Sequence, residues 1–160
     1  METFMLIVTS IADPFPLALI SAVFVLYLIY RGEYREAKVS AFAVIFGLIS
    51  FSVIKDLLMV ARPLHPMVVV YGSSFPSGHT TMVTILATLA VRWSSTRREW
   101  SNWRKEWRAH HWVLLAAVCL VLLVGFSRVY LGAHWSTDVV GGVALGLVSV
   151  LASLLFFKVM

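Results

Sequence analysis

Three short segments of this chain gather side chains suited to handling phosphate. Lys55 and Arg62 stand seven residues apart, with Pro63 next. Seven residues is nearly two helical turns, so both cations fall on one face at a helix end. The second segment is Phe75-Pro76-Ser77-Gly78-His79, just before an apolar run. Ser77 is a good N-cap, and Gly78 lets the backbone approach a ligand closely. A helix start there would offer free N–H groups and a positive dipole end to an anion. The third is Ser127-Arg128, then His134, then Asp138. If His134 begins a helix, Asp138 lies one turn on and can accept a hydrogen bond from its ring. Together these residues meet the needs of phosphoryl transfer. Two Arg and one Lys offset the phosphate charge. One histidine, polarised by a carboxylate, can attack phosphorus through its other nitrogen. A second, protonated histidine can donate to the leaving oxygen. No cluster of carboxylates suggests Mg²⁺, so neither metal nor cofactor is expected and the cations would do the metal's work.

Taken singly, each residue has an ordinary reading. His79 or His134 alone reads as a satisfied buried histidine, and Ser77 and Gly78 as loop and cap residues. Lys55 beside Asp56 reads as a structural ion pair. His65, near Pro63 and Pro66, is in reach of a lipid headgroup. His110 and His111 read as interfacial. Cys119, alone in an apolar run, reads as a small buried hydrophobe. The combined set of eight resists such explanations.

The elements that must position these residues are membrane helices. Hydrophobic residues make up 60% of the 160-residue chain, and the mean hydropathy is +0.88. A water-soluble domain has too little interior for so much apolar side chain. The net charge of +5 does not signal nucleic acid, because the basic residues fall between apolar runs rather than along one solvated face. The N-terminus, with Glu2 in place of a basic region, does not read as a signal peptide. The expected fold is an all-α, polytopic membrane helix bundle forming one domain over 1–160. It has five clear spans and a short N-terminal apolar segment: the short run is Phe4–Ala12, and the spans are Pro14–Tyr30, Val39–Ala61, Thr80–Trp93, Trp112–Phe126 and Val139–Phe157. A polar loop, Arg31–Lys38, follows the first span. Trp100, Trp103 and Trp107, at i, i+3 and i+7 among basic residues, suggest a helix lying on the anionic leaflet.

Ten of the thirteen Lys and Arg fall in loops 31–38 and 92–111 and at the C-terminus, on one side of a five-span arrangement. The positive-inside rule assigns that side, C-terminus included, to the cytoplasm. The other three are Lys55, Arg62 and Arg128, all at the opposite end. A charge in or beside a span costs ~2.5–3.5 kcal/mol even on insertion scales, which makes each a functional-site candidate.

The pattern resembles the type 2 phosphatidic acid phosphatase superfamily, which also includes vanadium haloperoxidases. Its signature is Lys-x6-Arg-Pro, Pro-Ser-Gly-His and Ser-Arg-x5-His-x3-Asp. Here it reads Lys55-(six)-Arg62-Pro63, Pro76-Ser77-Gly78-His79 and Ser127-Arg128-(five)-His134-(three)-Asp138, a match at every position. The resemblance implies that Lys55, Arg62 and Arg128 bind phosphate, with Ser77 and the Gly78 amide assisting. It makes His134 the nucleophile, Asp138 its orienting partner, and His79 the general acid and later the base for water. It implies a metal-independent lipid phosphatase and a core of usually six helices.

The implied partners are the bilayer and a lipid phosphate or diphosphate, acted on at the periplasmic or exterior face of a cell (inner) membrane. Family analogy puts undecaprenyl diphosphate first, ahead of phosphatidylglycerophosphate, phosphatidic acid and lipid A 1-phosphate. Rival readings are a haloperoxidase, a lipid phosphotransferase and a non-catalytic membrane scaffold. The oligomeric state is left open.

Overall fold

A computed structural model describes residues 1–96 and 103–159; the side chains of 103–106 and 159 are not described. Among the described residues six helices follow one another: α1 (Glu2–Ile11), α2 (Pro14–Tyr30), α3 (Tyr34–Leu58), α4 (Gly78–Thr96), α5 (Trp103–Tyr130) and α6 (Ser136–Val159). No strand occurs among the described residues. The boundaries follow local chemistry. Asp13 caps α2 by accepting from the Phe15 N–H, with Pro14 at the first helical position, where its missing donor costs nothing. Met59 ends α3 in the left-handed conformation, φ 45°.

The bundle is apolar outside and partly polar inside, the arrangement lipid demands. Leu19, Val23 and Leu26 on α2, Val118 and Leu122 on α5, and Leu147 and Leu151 on α6 are exposed. Ser40, Thr80, Thr81, Thr84, Ser149 and Ser153 are buried. The hydroxyls of Thr81, Thr84 and Ser149 donate to carbonyls one turn back, that of Thr80 to Ser77 Oγ, and that of Ser153 across to the Val39 carbonyl at 2.7 Å. Cys119 lies on the exposed face of α5, contrary to the buried site its apolar surroundings suggested. In a membrane protein an apolar run is as much a lipid-facing signal as a core signal.

α4 sits centrally, packed against α2, α3, α5 and α6. α6 meets it across a Gly142-x3-Gly146 step. A Cβ at Gly142 would lie 2.7 Å from the Ser77 carbonyl oxygen, and one at Gly146 would lie 2.7 Å from Thr84 Cβ. Small residues at this spacing let two membrane helices approach backbone to backbone.

Of the five expected spans, three are matched on length and apolarity: among the described residues Tyr34–Leu58, Trp107–Tyr130 and Ser136–Lys158 are long and apolar enough to cross a membrane. A fourth arises if α1 and α2, bent by 44° at their junction, form one broken span. α4 carries threonines and His79 because its neighbours, not lipid, surround it. The short segment Phe4–Ala12 becomes α1, which packs on α5. The proposed surface helix is corrected too. From Trp103 onward the basic segment is the start of α5, since no helix breaker separates it from the span; Trp100 lies outside the described residues.

At the end away from the motifs, Arg92 makes a bidentate pair with Glu36 at 3.0 and 2.8 Å. Trp93 Nε1 donates to Glu33 at 3.0 Å. These contacts fix α4 to the start of α3.

Candidate active site

The three motif segments converge at one end of the bundle. Lys55, Arg62, Gly78, His79, Arg128 and His134 line a single cavity of about 220 Å³, closed further by Pro14, Phe51 and residues 69–71. Ser77 and Asp138 lie behind its wall, fully or almost fully buried.

Ser77 begins α4 as the sequence suggests. Its Oγ accepts from the Thr80 N–H at 3.4 Å and from Thr80 Oγ1 at 3.0 Å. Its own N–H donates to the Asp138 carbonyl at 3.0 Å, which ties the start of α4 to the start of α6. Gly78 then presents its backbone to the cavity. A Cβ there would sit 3.4 Å from the Phe51 ring and 3.6 Å from Pro14, ordinary contact distances, so the fold alone does not demand glycine.

His134 stands just before α6, 3% exposed in its side chain. Its Nδ1 lies 3.4 Å from Asp138 Oδ2, an electrostatic contact short of an aligned hydrogen bond, and Nδ1 has no hydrogen-bond partner. The Asp138 carboxylate is itself fixed. Oδ2 accepts from the Trp135 N–H at 2.8 Å, the third helical residue reaching back to the cap as in a capping box, and from the Ser74 hydroxyl. Asp138 therefore both caps α6 and faces the imidazole. Burial first, then the Arg128, Arg62 and Lys55 cations, push the His134 pKa down to about 3. The ring is neutral at physiological pH, and the Asp138 side favours the proton on Nδ1, leaving Nε2 free to act as a nucleophile.

Two of the three cations, Arg62 and Lys55, are held by backbone carbonyls. Arg62 donates to Gly72 (3.0 Å), Ala133 (2.7 Å), Tyr71 (2.8 Å) and Ser73 (3.2 Å). Lys55 Nζ donates to the Ser73 carbonyl at 2.6 Å; the expected pair with Asp56 is not among the described ion pairs. One guanidinium thus joins the loop after α3 to the turn before α6. Trp135 Nε1 to the Ala61 carbonyl (3.0 Å) and the Met67 N–H to Leu131 (2.9 Å) support the same junction. Arg128 is 5% exposed; Nη1 donates to the Thr9 hydroxyl and Nε is without a partner.

His65 lies outside the cavity lining, with φ 58°; its carbonyl and the Pro66 backbone pack over Gly132. His110 and His111 are at the far end, His110 Nδ1 within 2.8 Å of Ser94 Oγ. Sequence reasoning missed Thr9, Asp13 and Ser74. Asp13 Oδ2 is 3.8 Å from His79 Nε2. Only the helix-cap signal at Asp13-Pro14 was visible; nothing in the chain ties any of the three to partners 64 or more residues away.

Over 112 residues, 67% of this chain and 48% of the relative, it is 35% identical to phosphatidylglycerophosphatase B of Bacillus subtilis (strain 168). It is 30% identical over 146 residues, 81% of this chain and 56% of the relative, to the lipid A 4'-phosphatase of Porphyromonas gingivalis. The chain thus spans about half the length of these curated relatives. The crystal structure of a transmembrane PAP2-type phosphatidylglycerolphosphate phosphatase from Bacillus subtilis has the same fold, with a TM-score of 0.76 and 24% identity over 99% of this chain and 77% of that one. The family model described as the PAP2 superfamily matches residues 36–159, and the chain belongs to that superfamily.

Proposed function

We propose that the chain is a membrane lipid phosphatase working through a phosphohistidine on His134. The observation that carries this reading is the convergence of six motif residues, two of them imidazoles, on one small cationic cavity. Lys55, Arg62 and Arg128 hold the phosphoryl oxygens, exchanging some of their carbonyl partners for the substrate, and the Gly78 amide at the start of α4 adds a donor. Ser77 assists from behind, as the cap that fixes that amide. Nε2 of His134 forms the bond to phosphorus while the P–O bond to the lipid breaks. His79, protonated, gives its proton to the leaving oxygen. In the second step neutral His79 takes a proton from water, which attacks the phosphohistidine and releases phosphate. Asp138 holds the His134 ring and offsets the charge it gains. The three cations supply the charge stabilisation, and we propose that no metal is needed.

The site lies at the outward end of the bundle, by the distribution of basic residues. The lipid reaches it from the side with its chain in the bilayer. Lys55 and Arg62 also line a second cavity of about 560 Å³, with Asp56, Val60, Gly72 and Ser73. A second phosphoryl group would meet the same cations from that side, so we place undecaprenyl diphosphate ahead of phosphatidylglycerophosphate, phosphatidic acid and lipid A 1-phosphate. The test is phosphate release by purified protein from a panel of these lipids, with His134→Ala as control. Release from none of them, or equal release by the variant, would contradict the reading. Transfer of the phosphoryl group to a lipid acceptor in place of water would make it a phosphotransferase.

A further inference from the structure

We infer that Asp13, in the elbow between α1 and α2, is a positioning residue that holds His79 for proton donation to the leaving group. This rests on the reading of His79 as the general acid. The superfamily match begins at residue 36, so the elbow lies outside it, yet two of its side chains reach the site. Thr9 accepts from Arg128, and Asp13 Oδ2 stands 3.8 Å from His79 Nε2.

The Asp13 carboxylate is not free to turn. Oδ1 accepts from the Phe15 N–H at 3.2 Å and caps α2, which leaves Oδ2 for the imidazole. The next residue, Pro14, lines the cavity and packs near Gly78, so the elbow lies against the start of α4. The ionisable groups acting on His79 are Arg128 from α5, Lys55 from α3, His134 from the turn before α6, and Asp13. Asp13 is the anion among them. A general acid in a cationic cavity must carry its proton at the moment the lipid departs; burial first, and then its cationic neighbours, oppose this. The carboxylate at the rim offsets them and fixes the ring, so that one nitrogen faces Asp13 and the other faces the substrate. The proton then passes from the imidazolium to the leaving oxygen as the P–O bond breaks, leaving neutral His79 beside Asp13. The site thus has two carboxylate–imidazole pairs, Asp138–His134 for attack and Asp13–His79 for departure.

The test uses the full chain in lipid vesicles, with kcat/KM as the readout because it covers only the steps through departure of the leaving group. Two substrates are compared: an alkyl lipid monophosphate, whose alkoxide needs the proton, and 4-nitrophenyl phosphate, whose leaving group does not. His79→Ala must first show a selective loss on the alkyl substrate; an equal loss on both would remove the acid role and this inference with it. Given that loss, Asp13→Asn, which keeps a capping side chain, should lower the alkyl rate roughly tenfold and the aryl rate by less than about twofold. The double variant should be no slower than His79→Ala alone. An unchanged alkyl rate, equal losses on both substrates, or additive losses in the double variant would overturn the role of Asp13 while leaving His79 as the acid. Asp13→Ser is the second variant, also a capping residue without charge. Failure of both to fold would assign Asp13 to the fold and overturn the proposal.

Discussion

At the scale of single residues, the site is a balance between charge and burial. Three cations and two imidazoles share a cavity whose anions, Asp138 and Asp13, stand behind the wall and at the rim. A cavity of this kind disfavours a proton. The depressed pKa of His134 follows, and it has a sign that can be checked. A histidine of ordinary pKa near 6.5 is largely protonated at pH 5; His134 should remain neutral there. Nitrogen-15 spectra of the ligand-free protein should show an uncharged His134 ring at pH 5, and a midpoint near 6.5 would contradict the burial. The same depression makes folding less favourable in acid. The unfolded chain takes up this proton below about pH 6.5 and the folded chain does not, so this contribution to stability is complete above 6.5 and declines as pH falls toward 3.

Gly78 gives a second residue-scale prediction. The surrounding contacts admit a methyl group, so Gly78→Ala should fold with little change in thermal stability. If the Gly78 backbone meets the phosphate, KM should rise by about tenfold or more while the fold is kept. Unchanged kinetics would remove Gly78 from the phosphate-binding set.

At the scale of elements, the loops between helices are held by a few side chains rather than by regular structure. Arg62 donates to four carbonyls from two loops. Lysine has three donors on a point charge and lacks the planar fork. Arg62→Lys should therefore lower both stability, by roughly 1–3 kcal/mol in a denaturant titration, and turnover; loss of turnover alone would limit Arg62 to the phosphate. Between α4 and α6, Gly146→Leu should wedge the two helices apart. The insertion costs about 1–3 kcal/mol, and the Ser77–Asp138 backbone bond that joins the two halves of the site should loosen with it. A Gly146→Leu protein of unchanged stability and activity would show that the close approach carries no weight.

The three motif segments were legible in the sequence because phosphate chemistry requires those residue types, and the spacing of His134 and Asp138 already put them one turn apart. The elements were less legible. The rule that equates a span with an apolar stretch holds for α3, α5 and α6, which face lipid. It is a weaker guide for α4, whose enclosed surface carries threonines, and for α2, which at 17 residues is long and apolar enough to span only together with α1. The polar supports Thr9, Asp13 and Ser74 depend on packing between distant segments, which local periodicity does not encode.

At the scale of the whole molecule, the candidate site and the basic helix ends lie at opposite ends of the bundle. The cavity and the carbonyl-bound cations lie at one end. The Arg92–Glu36 pair and the basic start of α5 lie at the other. The bias of Lys and Arg toward the second end predicts that a reporter fused after Lys158 reads as cytoplasmic, and a periplasmic reading would invert the orientation. On the mechanism proposed above, in which the cations supply the charge, chelation by EDTA should leave hydrolysis largely intact; full loss would require a metal in the mechanism.

The most direct measurement is to catch the covalent intermediate. Purified protein is mixed with a radiolabelled lipid phosphate, quenched in base and digested, and the label is located by mass spectrometry. The account predicts an acid-labile, base-stable phosphoryl group on His134 that is missing from His134→Ala. A label on another residue, or full turnover in the His134→Ala protein, would contradict it.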